Sequence, residues 1–438
     1  MMLWLLMLLS PSTPAAAGQE LAPPAAAAVA AEAMNDGPVA VPEPTDLAIQ
    51  RFRSGNILWC VNRLWAVLVP AVFLFTGLSA KLRTWAGRIG RFWYLQFAIY
   101  FAAFMIITDV FYFPLAFYQG FVREHAYGLS NQTFGKWFHD SLLGLGVTIV
   151  MGIVFLWVPY LLIRKSPRRW WLYAGLLVPP FLFFEILIFP VLIDPLFNRF
   201  EPMKNKELEK RILATAERSG IEGSRVYEVN KSVDTKAVNA YVTGFLQTKR
   251  IVLWDTLLNK LDEDEVVFVV GHEMGHYVLN HIVYGVIMSS VGCFIGLYLL
   301  HRVSAMILLR FHNRFGFDSL GDIASFPLVV LLLGIFAFAA SPIALAVSRH
   351  DEREADRFGI ELTRLNRAAA TGFVKLQQEN LGVPWHGLLY KLWRDTHPPV
   401  GERIVFFNSY KPWQTGQPLR YEGRFREESN APGTRTDH

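Results

Sequence analysis

Charge is scarce in this chain and cysteine is nearly absent. Of 438 residues only 18% are Asp, Glu, Lys or Arg, against 53% hydrophobic and 14% aromatic, a balance too apolar for an ordinary soluble enzyme. The two cysteines, Cys60 and Cys293, sit in or beside apolar runs and exclude both a disulfide framework and a thiolate metal site. A large excess of positive charge is also missing. The formal net charge is +5, and the basic residues gather between apolar stretches, where they suit anionic lipid heads. No basic stripe alternates with aromatic residues, which excludes a nucleic-acid partner.

What the chain has instead is apolar length. Stretches 64–80, 92–117, 142–163, 170–193, 283–300 and 324–347 each suit a membrane-crossing helix of about 20 residues or slightly fewer. The backbone there must be helical, because lipid offers no hydrogen-bond partners. The chain therefore reads as an integral, multi-pass protein of the lipid bilayer. Asp109 and Glu185 fall inside these stretches and need a partner on a neighbouring helix or a watery interior. The run MMLWLLMLLS at the N-terminus has no preceding Lys or Arg; residues 1–17 read as a signal-like segment or a degenerate first anchor. An Ala/Pro-rich linker follows over 18–57.

Between the fourth and fifth spans the chain turns water-soluble. KELEKRILATAERSG predicts an amphipathic helix with Leu208, Ile212 and Leu213 on one side. RVYEVN and KRIVLWDTLL read as strands. Asp262 and Glu265 then stand in capping-box register ahead of Val266–Val270, a run apolar on every side that predicts a buried helix. That helix carries His272-Glu273-x-x-His276. Residues four apart lie one turn apart on nearly the same helix face. Both imidazoles can therefore reach one zinc ion, with Glu273 beside them to take a proton from water.

A catalytic zinc needs a third protein ligand. The metzincin pattern asks for Gly at 279 and His at 282, where this chain has Leu279 and Ile282. His281 is one residue out of that register and reads as a polar residue at the helix end. SRHDEREADRFG offers Glu352 and Asp356 on one helical face, one to bind metal and the other to hold a ligand histidine. The same spacing equally fits a charged surface helix in which Arg349 and Arg353 pair with them.

GHEMGH, two spans and then SRxxExxAD resemble the type I CAAX prenyl proteases, multi-span zinc endopeptidases. The similarity runs from about 120 to 405 and includes YGLSNQT (127–133), DPLFNRF (194–200), NAYVTGFLQTKRIVLWDTLL (239–258) and THPPVGERI (396–404). The resemblance implies a mainly α fold: a polytopic membrane helix bundle enclosing a watery chamber, with a small α+β zinc-protease domain of gluzincin type. The chain is expected to divide into a four-span region (58–194), a metallopeptidase domain with two further spans (195–410) and a polar tail (411–438). It implies one zinc ion per chain, on His272, His276 and Glu352, with Asp356 and Arg349 supporting the ligands. Asn239 and Ala240 would line a groove for extended substrate, and His397 and Arg403 would stabilise an oxyanion.

The partner implied is a peptide or protein substrate, prenylated in the case of CAAX-type C-terminal processing. Membrane-protein quality control is a second enzymatic reading. A transporter or channel with a structural zinc site is the reading from another class, although structural sites usually close all four positions with protein ligands. The sequence departs from the family in its first helix and in PWHGLLY, so no role passes to His386. The basic loops 81–91 and 164–169 put the zinc segment outside the cytoplasm by the positive-inside rule, whereas the family has its metal site on the cytoplasmic side.

Overall fold

The computed structural model describes residues 37–243 and 250–426 apart from 222 and 224; the signal-like segment 1–17 lies outside the described residues. Helix α1 (Asp46–Phe75) is followed by α2 (Leu78–Ile89), α3 (Trp93–Phe117), α4 (Phe134–Phe155), α5 (Trp157–Lys165) and α6 (Trp170–Ile188). Strand β1 (Phe200–Pro202), helix α7 (Lys206–Arg218), strands β2 (Arg225–Val229), β3 (Ala240–Thr243) and β4 (Arg250–Trp254), and helix α8 (Asp255–Lys260) come next. Helices α9 (Glu263–Val278), α10 (His281–Phe315), α11 (Phe326–Thr363), α12 (Asn366–Glu379), α13 (Leu388–Trp393) and α14 (Val400–Ser409) follow.

Six helical stretches among the described residues are long and apolar enough to cross a bilayer, in agreement with the six apolar runs. No more than 28% of the apolar window of any of them is buried by protein. Among their exposed side chains are Val150, Leu176, Ile295, Met306 and Leu309, the last 81% exposed. Such surface is unfavourable in water and neutral in lipid. Asp109 is exposed and Glu185 half-buried.

The described chain divides into two compact units. One holds 49–189 and 283–344. Within it, Trp170, Ala174, Val178 and Leu182 of α6 pack against Val286, Cys293, Leu297 and Leu300 of α10 and Leu328 and Leu332 of α11. Helices α6 and α10 approach closely because Gly175 has no side chain: a Cβ there would stand 2.4 Å from Phe294 Cδ2. Phe73, Phe97, Phe101, Phe104 and Phe326 form a second, aromatic cluster.

The other unit holds 190–282 and 345–438 with a short N-terminal piece. Its sheet runs in the order β1-β2-β4-β3, with β2 and β4 parallel and the remaining pairs antiparallel. Ile251 and Leu253 of β4, Leu208, Ile212 and Ala216 of α7, and Val266, Val270 and Met274 of α9 share one core with Phe358 and Leu362 of α11. Each fully buried aliphatic side chain contributes roughly 1.5–3 kcal/mol.

Several local expectations change. In α7 the third buried position is Ala216, while Leu213 is 37% exposed. Among the described residues of KRIVLWDTLL, Arg250–Trp254 are strand and Asp255 opens helix α8. Helix α1 begins at Asp46, inside the stretch read as linker. Residues 37–42 are held on this same sheet-bearing unit: Asn408 bonds both N (2.9 Å) and O (2.8 Å) of Val39, Arg367 donates to Gly37 O and Gln377 to Pro42 O. The polar tail is also seated as far as Arg426, with Tyr421 buried against Phe358.

Candidate active site

Helix α9 starts at the expected capping box, in which Asp262 and Glu265 satisfy each other's backbone N–H groups. Lys375 of α12 binds both carboxylates, at 3.0 and 2.8 Å. The helix is thereby fixed at its start, and burial of Val266, Phe268, Val270 and Met274 fixes its rotation. His272 and His276 consequently project together, with their Nε2 atoms 3.3 Å apart.

The third group arrives on α11. This is a single helix from Phe326 to Thr363, so an apolar span and the charged run SRHDEREADRFG form one rod. Its end crosses α9 at near backbone contact. A Cβ on Gly275 would stand 3.1 Å from Ala355 Cα, and one on Gly359 would stand 3.0 Å from His272 N. Glycines at these positions allow the close crossing that brings Glu352 to the histidine pair, and since Glu352 and Asp356 are buried the surface-helix alternative does not describe this segment. Glu352 Oε2 lies 3.4 Å from His272 Nε2, and Oε1 lies 3.3 Å from His276 Nε2.

With one carboxylate oxygen facing each Nε2, the three groups lie within reach of one metal ion. Two ligand atoms about 2.0–2.1 Å from a tetrahedral zinc stand about 3.3–3.4 Å from each other, and two imidazoles with one carboxylate are a zinc-compatible donor set. Glu352 Oε2 is buried and has no well-formed hydrogen bond among the described residues; its positive neighbours His272 Nε2 and Arg403 Nη1 stand off at 3.4 and 3.5 Å. The electrostatics agree. Burial alone would lower the pKa of His272, but its bonds to Asp356 and Glu352 outweigh that and push it up to about 10. The two carboxylates therefore favour positive charge at this imidazole.

Around the triad, the supporting groups interlock. Asp356 Oδ1 is 3.0 Å from His272 Nδ1, as expected for a residue that sets the histidine's tautomer. Arg403 of α14 binds Asp356 through Nε (2.8 Å) and Nη2 (2.5 Å), and its Nη1 lies 3.5 Å from Glu352 Oε2. Burial would lower the pKa of Arg403, but Asp356 and then Glu352 raise it. Its guanidinium also lies over the Phe373 ring, 4.2 Å from the centroid. His397 Nε2 is 3.2 Å from Glu352 Oε1, and its side chain is 56% exposed. Burial is the main cause that raises the pKa of Glu273, with Glu352 adding to it, against the lowering effect of His272, His276 and Arg403.

His272, Glu273, Asn239, Ala240, His397 and Arg403 all line one pocket of about 450 Å³. Ala240 opens β3, which lies at the edge of the sheet among the described residues. Arg349 stands further out. It donates to the carbonyls of Lys391 (2.5 Å) and Asp395 (2.8 Å), and so braces the segment ahead of His397 rather than the ligands themselves. Two residues the sequence left without a role belong here. His386 lines the pocket and pairs with Asp395 at 2.8 Å, and His281 Nδ1 lies 3.0 Å from His276 Nδ1. Neither has a periodic signal, because both are placed by turns.

Comparison with known proteins agrees with this geometry. Residues 202–410 match the model of peptidase family M48, and 53–199 match that of the CAAX prenyl protease N-terminal region, five membrane helices. The chain is 37% identical over 369 residues to the uncharacterized metalloprotease YhfN of Bacillus subtilis, covering 84% of this chain and 86% of that one. This chain belongs to the CAAX prenyl protease family of M48 peptidases. CAAX prenyl protease 1 of Saccharomyces cerevisiae is 31% identical, with 67% of each chain covered. The crystal structure of S. mikatae Ste24p superimposes with a TM-score of 0.73 at 26% identity, over 82% of this chain and 87% of the other. As a member of this family, the chain is a multi-pass membrane metalloendopeptidase.

Proposed function

We propose that this peptidase is a zinc enzyme that processes the C-terminal region of prenylated chains. The single observation that carries the zinc reading is the triangle of groups His272, His276 and Glu352, in which the two Nε2 atoms are 3.3 Å apart and each faces a different Glu352 oxygen at 3.3–3.4 Å. When bound there, zinc supplies Lewis-acid polarisation of water and of the scissile carbonyl. Glu273, next to His272 and in the same pocket, takes the proton from the attacking water and returns it to the leaving amine nitrogen. Burial raises its pKa above the usual carboxylate value, which makes it the better proton acceptor.

Substrate lies extended along β3, taking backbone hydrogen bonds at Asn239 and Ala240 as an added strand. His397, the exposed side chain beside Glu352, stabilises the oxyanion that develops as water adds to the carbonyl. Arg403 assists from behind, since its fork is occupied by Asp356. The prenylated class of substrate is supported by the relatives named CAAX prenyl protease 1.

The test is cleavage, by detergent-purified protein, of matched CAAX peptides that are farnesylated or bare, with Glu273→Gln as the blank. Preferential cleavage of the farnesylated peptide, absent from the blank, is expected. Equal cleavage of both would remove the lipid requirement and leave a general membrane protease. Wild-type turnover by Glu273→Gln would overturn the mechanism.

A further inference from the structure

We propose that His281 and Asp351 are positioning residues for the ligand His276. They fix its tautomer and ring orientation from the side opposite the metal. The proposal rests on the zinc reading of His272, His276 and Glu352.

On a continuous helix, residues five apart point about 140° away from each other, so His281 would face away from His276. The chain prevents this by breaking the helix. Helix α9 ends at Val278, Asn280 takes a left-handed conformation (φ 59°), and α10 starts at His281. Asn is among the few side chains that tolerate that region. The turn brings the two rings to a centroid distance of 5.0 Å at 74°, with Nδ1 facing Nδ1 at 3.0 Å.

That contact admits one proton. His276 directs Nε2 toward His272 and Glu352, so in its neutral, ligating form the proton sits on Nδ1. His276 therefore donates and His281 accepts. His281 then carries its own proton on Nε2, which lies 4.0 Å from Asp351 Oδ1. Asp351 immediately precedes Glu352, so adjacent residues of α11 address the two sides of His276. Glu352 faces Nε2 directly, whereas Asp351 stands beyond His281 across a 4.0 Å gap, a charged neighbour and not a direct hydrogen-bond partner. The two ligand histidines are thus held differently. His272 has a carboxylate at its Nδ1, 3.0 Å away, whereas His276 has an imidazole. Partners of this kind set ligand orientation and basicity, and their loss typically weakens metal binding about 10–100-fold.

Three variants test the proposal: His281→Phe, which removes the acceptor; His281→Asn, which keeps one close to Nδ1; and Asp351→Asn. Zinc dissociation constants are read by chelator competition on the full-length protein in detergent, alongside the thermal midpoint of the EDTA-treated form. His281→Phe should weaken zinc about 10–100-fold, His281→Asn should restore most of that loss, and the EDTA-treated midpoints should coincide. Asp351→Asn should fall between Phe and wild type. In the Co2+-substituted protein, the visible ligand-field bands should shift in His281→Phe and return in His281→Asn. Unchanged zinc affinity in His281→Phe, or equal loss in Phe and Asn, would overturn the proposal. Glu352→Ala is the control for its premise: if that variant also keeps zinc, the metal reading itself fails.

Discussion

Arg403 closes a buried fork on Asp356, Nε to Oδ2 at 2.8 Å and Nη2 to Oδ1 at 2.5 Å, and Asp356 in turn holds His272 at Nδ1. This chain of contacts ties α14 to α11 and α11 to α9. Removing the arginine leaves Asp356 buried without its cation, a change that costs about 3–5 kcal/mol. Arg403→Ala should therefore lower the thermal midpoint and lose zinc. Arg403→Lys keeps the charge without the planar fork and should recover only part of either. Calorimetry and metal analysis on the two variants separate charge from geometry.

The crossing of α9 and α11 gives a second prediction. At Gly359 a new Cβ meets the backbone N of His272 at 3.0 Å, and backbone cannot yield as a flexible side chain would. Gly359→Val should destabilise the protein by about 1–3 kcal/mol and displace Glu352 from the histidines. Zinc content should fall with it. Gly387 has nothing within 4 Å of its Cβ position and φ of −71°, so Gly387→Ala should leave both quantities unchanged.

Metal removal gives a third. A ligand present at about a thousand times its dissociation constant adds about 4 kcal/mol to stability. Chelation should lower the wild-type midpoint accordingly. Glu352→Ala should start near the chelated value and fall little further, because it has lost the carboxylate that completes the triangle. An equal drop in both proteins would mean that the bound metal sits elsewhere.

The end of α11 gives a fourth. Glu361 is fully buried and accepts from Tyr410 Oη (2.5 Å), Arg420 N (3.1 Å) and Tyr421 N (2.8 Å). Glu361→Ala should free the segment beyond Tyr410 and make it sensitive to limited proteolysis, a loss of about 1.5–3 kcal/mol for each such bond before non-additivity. Protection equal to that of the wild type would show that the apolar contacts of Tyr421 and Phe425 suffice.

Much of the site was legible because its signals are local. His272 and His276 share a face by helical period, the cap at Asp262 is a three-residue pattern, and the apolar spans are contiguous. Leu213 was misjudged because period alone does not say how wide the covered stripe is; packing on the sheet selects Ala216 instead. DTLL was read as strand because short apolar runs are ambiguous between strand and helix, and the sheet ends at Trp254. Residues 37–45 look like linker because composition reports low complexity and not the bonds they make to the Asn408 side chain and accept from Arg367 and Gln377.

By itself the sequence determined a membrane-embedded chain with a buried helix presenting two histidines and a glutamate. Those properties depend only on hydrophobic length and helical period, which are fixed by neighbours in the chain. Tertiary structure decided which carboxylate completes the triangle. Glu352 and Asp356 carry the same signal in sequence, and only the close crossing at Gly275 and Gly359 turns Glu352 to the two Nε2 atoms and Asp356 to Nδ1 of His272. It likewise decided that His281 returns to His276, because a single left-handed residue at Asn280 reverses the direction that helical period would assign.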